Sequence, residues 1–244
     1  MKCFGITHRG AVRQENQDMF RVFAPVGREI LAAVLCDGMG GEKAGSTASA
    51  IAADTFMSHA ANSLDERSKP ADMHMILTEA ANYANIKVYD RAFSDFSCMG
   101  MGSTLVGLLV NGKKACVVNV GDSRAYLLTK RSVEQITRDH SLVEDMVSRG
   151  KITRAEAQNH PKKNIITRAV GVEASVTSDL FDVRFTPGSR IILCSDGLSN
   201  LVSGEEMLIV SNNHADVQEG CEALLELALK RGAPDNVTAF IAER

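Results

Sequence analysis

The sequence predicts an α+β protein in which helices pack outside antiparallel β-sheets. Three observations lead there. Short β-branched runs follow one another with little helix between them. An Asn111-Gly112 step joins two of these runs, a strong hairpin signal. Long helical segments stand apart from the strand block instead of alternating with single strands.

A first strand is expected at residues 4–7, followed by an apolar run at 30–36. Two helices come next. Residues 44–61 are rich in Ala, and residues 72–93 carry Met75, Ala80, Tyr83, Ala84, Ile86 and Val88 in a roughly helical pattern. The strand block then runs through 104–110, 115–120 and 125–128. A helical insertion follows. Residues 141–149 end at Gly150, a good residue just past a helix, and Thr153 with Glu156 makes a capping box. Strand 190–194 precedes a second capping box at Ser203 and Glu206. A helix at 215–231 stops at Gly232, and a last strand covers 237–241. The five prolines all fall at plausible turns, and no repeat or low-complexity linker divides the chain, so 1–244 reads as a single domain.

Composition narrows the function. Of 244 residues, 45% are apolar and 23% charged, as in ordinary globular proteins. The net charge of −3 and the absence of a basic stripe argue against a nucleic-acid partner. Six cysteines lack CxxC or zinc-finger spacing, and several sit inside apolar runs, where they read as small buried hydrophobes of a reducing compartment. No segment resembles a signal peptide or approaches the roughly 20 apolar residues that span a bilayer. We therefore expect a soluble, cytoplasmic protein with no membrane association. Nothing in the sequence demands more than a monomer.

The informative feature is where the aspartates fall. Residues 30–36 run into Asp37-Gly38-Met39-Gly40-Gly41, residues 116–121 into Asp122, and residues 191–195 into Asp196. Asp235-Asn236 directly precedes the last strand. Any one Asp-Gly after a strand is most simply a turn. Four acidic residues at the mouths of buried strands are another matter, because burying unpaired carboxylates together is costly and a bound cation resolves it. All-oxygen ligands point to a hard ion, Mg²⁺ or Mn²⁺. Gly38 would let a backbone carbonyl approach as a ligand. Near the N-terminus, Arg13 offers a planar fork for a phosphate, and Asp18 could act behind the ligands. By spacing alone that segment is a weak signal.

Taken in order, these pieces resemble the PPM family, the type 2C protein phosphatases, and more closely its bacterial branch. The matching segments are Arg13 to Asp18, Asp37-Gly-Met-Gly-Gly41, Gly102-Ser-Thr104, Asn119 to Tyr126, Thr137-Arg-Asp-His-Ser141, Ile166 to Gly171, Ser195-Asp-Gly-Leu198 and Asp235-Asn-Val-Thr238. The resemblance implies two central antiparallel β-sheets packed as a sandwich and flanked by α-helices. It implies a metal-dependent serine/threonine protein phosphatase acting through a hydroxide activated by a binuclear Mn²⁺ or Mg²⁺ centre. By position, Asp37 would bridge two ions and the Gly38 carbonyl would bind the second. Asp196 and Asp235 would complete the first. Asp122 with Asp196 would hold the third ion of bacterial members. Arg13 would bind the substrate phosphate, Asp18 would support from behind, and residues 141–165 would form a mobile flap. The implied partners are phosphoprotein substrates and a cognate Ser/Thr kinase.

Two departures stand out. Animal relatives carry a His where Met39 stands, so this chain lacks that proposed proton donor, and Gln17 replaces a common Glu. The rival readings are a phosphoprotein-binding module without turnover and a different carboxylate–metal hydrolase such as a nuclease. The full set of aspartates speaks against the first, and the acidic charge balance against the second.

Overall fold

The computed structural model describes residues 1–41 and 44–244. Its strands are β1 (Lys2–His8), β2 (Asp18–Phe23), β3 (Ile30–Met39), β4 (Gly102–Ser103), β5 (Leu105–Asn111), β6 (Lys114–Val120), β7 (Arg124–Leu128), β8 (Val133–Gln135), β9 (Asp179–Arg184), β10 (Arg190–Cys194) and β11 (Val237–Glu243). The helices are α1 (Ala44–Ser63), α2 (Pro70–Ser94), α3 (Leu142–Ser148), α4 (Arg154–Gln158), α5 (Asp196–Ser199), α6 (Gly204–Asn213) and α7 (Val217–Lys230). One sheet runs β1-β11-β10-β7-β8, the other β2-β3-β5-β6-β9 with β4 paired to the end of β3. Every pairing is antiparallel. The α+β sandwich with flanking helices is therefore the observed fold.

Strand β3 explains why the pattern of 30–36 is continuously apolar. Leu31, Ala33 and Leu35 face the other sheet and meet Leu108, Phe185, Leu193 and Phe240. Ala32, Val34 and Cys36 face the opposite way, onto α1, while α2 packs on α1 and over β5 and β6. A strand covered on both faces has no polar side to show. Alanines at 48, 52, 53, 80, 81 and 84 let the two helices sit close to that face, with Phe56 filling the gap. On the far side α6 and α7 cover the first sheet through Met207, Val217, Leu224 and Ala228.

Local signals behave as expected, with small shifts. Both capping boxes form, starting α4 at Thr153 and α6 at Ser203. Ser141 caps α3 from just outside it, and Asp216 caps α7. In the hairpin Asn111 pairs with Lys114, so the loop residues are Gly112 and Lys113 rather than Asn111 and Gly112. Gly112 takes a φ of 57°, which fits a glycine at the first central position. Asn111 turns outward instead, and its Nδ2 donates to the carbonyls of Asp65, Glu66 and Ser68 in the α1–α2 connection.

Two corrections concern the site. The strand expected to stop at Cys36 continues through Met39, so Asp37 and Gly38 lie within β3, paired with β4 through Gly38 and Ser103. Residue 18 opens β2, a strand absent from the sequence reading, and stands directly opposite Asp37 in register. The insertion after β8 leaves and rejoins the frame at a narrow neck. Ser141 bridges Ile166, and the Leu142 N–H donates to the Ile165 carbonyl at 2.8 Å.

Candidate functional site

The two sheets meet at one end, and there the acidic strand ends converge. Asp37 comes from β3 and Asp122 from the β6–β7 connection. Asp196 opens α5 straight after β10, and Asp235 precedes β11. Together with Arg13, Gln17, Gly38, Met39 and Thr104 they line a cleft of about 600 Å³. Asn164 and Ile166, from the end of the insertion, line it too.

The backbone at these aspartates is fixed by local chemistry. The Asp37 backbone N–H donates to Thr104 Oγ1 at 2.9 Å, and its carbonyl accepts from the Thr104 N–H and from Ser103 Oγ. Thr104 Oγ1 in turn contacts Ser123 Oγ at 2.7 Å. The Gly-Ser-Thr segment thus fixes the end of β3. Gly38 is required by crowding, since a Cβ there would sit 1.9 Å from the Gly45 carbonyl oxygen. Asp122 follows Gly121, whose N–H donates to His140 Nδ1 and whose carbonyl accepts from the His140 N–H. His140 is thereby a structural clamp for the Asp122 turn.

Asp18 lies behind this row and is 2% exposed. Its Oδ2 accepts from Ser195 Oγ at 2.7 Å and from Thr238 Oγ1 at 2.6 Å. Its Oδ1 has no hydrogen-bond partner, an unusual state for a buried carboxylate oxygen. Asn236 ties the Arg13 loop to the sheet. Its side chain accepts from the Gln17 N–H and donates to the carbonyls of Arg9 and Glu15. Thr104, Ser195, Asn236 and Thr238 were not singled out in the sequence for these roles, although each stands inside a matching segment.

The electrostatics are those of crowded like charges. Burial, then Asp18, Asp196, Asp122 and Asp235, push the Asp37 carboxyl well above its usual range. Burial raises Asp18 to about 7 even though Thr238 and Ser195 oppose it. Burial and then Asp196 raise Asp122 to about 7 as well. Asp196 is raised by burial and by Asp235, with Arg124 and Asn200 acting the other way. Oxygen donors, an orphaned buried Oδ1 and uncompensated negative charge together fit a hard divalent cation.

The expected convergence on a common ion is looser than the sequence suggests. Among the described residues, no three of these carboxylates bring oxygens within 4.8 Å of one another. Local partners account for the spread. Asp235 Oδ2 accepts from Arg13 at 2.9 Å and its Oδ1 from the Asn236 N–H. Asp196 Oδ2 accepts from Asn200. Arg13 is thus paired with a carboxylate of the cleft, in the position where a phosphate was expected.

Comparison with known proteins completes the picture. A family model described as Protein phosphatase 2C matches residues 5–239. The chain belongs to the protein phosphatase 2C family. It is similar to the serine/threonine phosphatase stp of Listeria welshimeri, with 35% identity over 98% of this chain and 94% of that one. It is similar to the serine/threonine protein phosphatase PstP of Mycobacterium tuberculosis, with 38% identity over 96% of this chain but 43% of the longer relative. The crystal structure of the serine/threonine phosphatase Stp1 from Staphylococcus aureus superposes with a TM-score of 0.92, at 34% identity, over 100% of this chain and 94% of that one. The 2C family is metal-dependent, and the cleft described above carries the acidic oxygens such dependence needs. No helix among the described residues is long and apolar enough to cross a membrane.

Proposed function

We propose that this chain is a metal-dependent phosphatase that hydrolyses phosphoserine and phosphothreonine in proteins. One observation carries the reading: Asp37, Asp122, Asp196 and Asp235, from separate elements of both sheets, line one cleft with Arg13 at its mouth. Asp37, Asp196 and Asp235 would hold a first ion, Asp37 and the Gly38 carbonyl a second, and Asp122 with Asp196 a third. Bound there, Mn²⁺ or Mg²⁺ would lower the pKa of an attacking water and neutralise charge on the phosphoryl oxygens.

The chain's own groups do the rest. Arg13 grips two phosphate oxygens with its planar fork, and an incoming phosphate competes with Asp235 for it. Asp18 is anchored by Ser195 and Thr238 and keeps Oδ1 to accept a further hydrogen bond. Met39 lines the cleft with a thioether, so it donates no proton to the leaving serine or threonine oxygen. No Cys, Ser or His side chain of the cleft is poised as a nucleophile, and no phospho-enzyme is expected. Residues 141–165, closed off at the Ser141–Ile166 neck, form the flap of a single 1–244 catalytic domain. The protein would act as a cytoplasmic monomer and reverse a cognate Ser/Thr kinase.

The test is hydrolysis of phosphoserine and phosphothreonine peptides with Mn²⁺ or Mg²⁺. Turnover should vanish in EDTA and return with added metal. Binding of phosphopeptide without turnover in any divalent metal would refute the enzymatic reading, and preference for DNA would replace it.

A further inference from the structure

Away from the cleft, three elements bring a second set of metal-ligating side chains together. β6 and β9 are neighbours in the second sheet, and their register sets Cys116 directly opposite Asp182. α2 packs on the same face and contributes His74. His74 Nε2 lies 2.9 Å from Asp182 Oδ1, and Cys116 Sγ donates to the same oxygen at 3.3 Å. All three ligand atoms fall within 4.8 Å of one another. The thiol is buried, whereas the His74 and Asp182 side chains are 33% and 67% exposed, which leaves a route from solvent. The phosphatase mechanism uses none of the three.

We propose that His74, Cys116 and Asp182 form a binding site for a thiophilic divalent cation of the zinc(II) class, separate from the carboxylate cleft. The donor set is the first reason. One sulfur, one imidazole nitrogen and one carboxylate oxygen suit zinc(II), whereas the oxygen-only cleft suits Mg²⁺ or Mn²⁺. Spacing is the second. Bonds of roughly 2.0–2.3 Å in a tetrahedron place neighbouring ligand atoms about 3.3–3.6 Å apart. The observed contacts of 2.9 and 3.3 Å need to open only slightly, and the exposed His74 and Asp182 side chains can do this by rotation.

Charge is the third reason. A thiolate and a carboxylate neutralise a divalent ion, and water from the open side would complete four ligands. Binding requires Cys116 to lose its thiol proton to solvent as the sulfur–metal bond forms, and His74 to carry its proton on Nδ1 so that Nε2 offers its lone pair. Without metal, burial and then Asp182 push that thiol up to about 12, so it stays protonated and donates to Asp182. Lys114 on β6 opposes that rise. An occupied site would pin α2 to the edge strand β9 and stiffen the outer layer without touching the active cleft.

Titration with Co²⁺, in Mg²⁺ excess so that the oxygen-only cleft is filled, tests the idea on the intact protein. A thiolate-to-cobalt charge-transfer band should grow in the near ultraviolet, saturate at one equivalent and be bleached by Zn²⁺. Cys116→Ser should abolish it. His74→Ala and Asp182→Asn, changes at partly exposed side chains that keep the fold even if the buried serine does not, should each weaken Co²⁺ binding at least roughly tenfold. Phosphopeptide turnover with Mn²⁺ should be unchanged in all three variants. The absence of a charge-transfer band in the wild type, or one that survives Cys116→Ser or is indifferent to both His74→Ala and Asp182→Asn, would overturn the site. The band does not depend on catalysis, so an inactive protein that still gives it would sink the phosphatase reading alone.

Discussion

On one side, Asp37 at the cleft and Asp18 behind it stand opposite each other across β2 and β3, the Asp37 backbone N–H donating to Thr104 and the Asp18 carboxylate accepting from Ser195 and Thr238. On the other rim, Asp235 rests against the Arg13 guanidinium, with side chains 38% and 54% exposed. The first rim buries negative charge in a rigid sheet. The second balances its charge in a loop open to water. A buried carboxylate without a cationic partner makes no sense as a stabilising device, because desolvation penalises the charged form. It makes sense as a socket for a cation. The exposed pair contributes little to folding and can exchange partners. On the proposed reading the rigid rim would help to hold metal, while the loose rim would lend Asp235 to the first ion and hand an arginine to the substrate.

The largest expected effect falls on the rigid rim. Asp37→Asn should lower kcat/KM by at least roughly 10³-fold, the equivalent of several kcal/mol of lost charge stabilisation. The same change should raise the melting temperature of EDTA-treated protein, since it removes a partly desolvated charge repelled by Asp18, Asp196, Asp122 and Asp235. Activity and stability moving in opposite directions is the signature. A variant that keeps wild-type turnover, or loses both, would break the division between the rims.

A pH series sharpens the same point through Asp18. Its folded pKa is raised to about 7, above the ordinary carboxylate value of 3.8. Between those values the folded state binds more protons than the unfolded state, so stability falls as pH rises through that window. His140 works the other way, since burial lowers its pKa, and it gains stability with rising pH up to its ordinary value. The clean quantity is thus the difference in unfolding free energy between wild type and Asp18→Asn, measured without metal. That difference should shift against the wild type from about pH 4 to about pH 7 and level off above. Saturating Mn²⁺ should suppress the trend, and a flat difference in EDTA would remove the electrostatic argument for the rigid rim.

The loose rim should respond more mildly. Arg13→Ala should raise KM for phosphopeptides roughly 10- to 100-fold, the worth of a charged, forked hydrogen bond, with a smaller change in kcat. Arg13→Lys should recover only part of the loss, because an ammonium cannot reproduce the planar fork. Folding stability should change by less than about 1 kcal/mol in either variant, given the exposure of the pair. A KM unchanged in Arg13→Ala would free Arg13 from any substrate role.

The contrast between the rims also shows what the sequence could reveal. The interior strands β3, β5, β6, β10 and β11 were legible because both faces are covered and they read as unbroken apolar runs. Of the missed strands, β4 is only two residues long, and β2, β8 and β9 are the outermost members of their sheets, where charged residues follow from one side being open to water. Missing β2 hid the pairing of Asp18 with Asp37, which no spacing argument could recover. Asp37, Asp122, Asp196 and Asp235 were visible because each stands just past or before an apolar run. The hydroxyls that brace Asp37 and Asp18 were not, since Ser103, Thr104, Ser195 and Thr238 carry no period of their own. Their roles depend on partners up to 220 residues away.

The smallest expected effect concerns the insertion that reaches the cleft through Asn164. Its helix α4 is tied back by Arg154, whose guanidinium donates to both oxygens of Glu144 on α3, while Arg138 in the frame donates to the same carboxylate. Arg154 is 75% exposed and Glu144 11%, so the arginine supplies a latch and the glutamate its seat. In Arg154→Ala, Glu144 keeps Arg138, no charge is stranded, and global stability should fall by less than about 1 kcal/mol. Locally the latch matters more, because residues 149–165 are mostly exposed and make few apolar contacts that would hold them down. Amide exchange across 150–165 should quicken in Arg154→Ala while exchange in β3 and β5 stays at the wild-type rate. Asn164 lines the cleft from that segment and Ile166 from its neck, so turnover of phosphopeptides should change more than turnover of a small aryl phosphate that does not reach it. Equal changes for both substrates would mean that the insertion acts on the acidic cleft itself and not on the peptide around the phosphate.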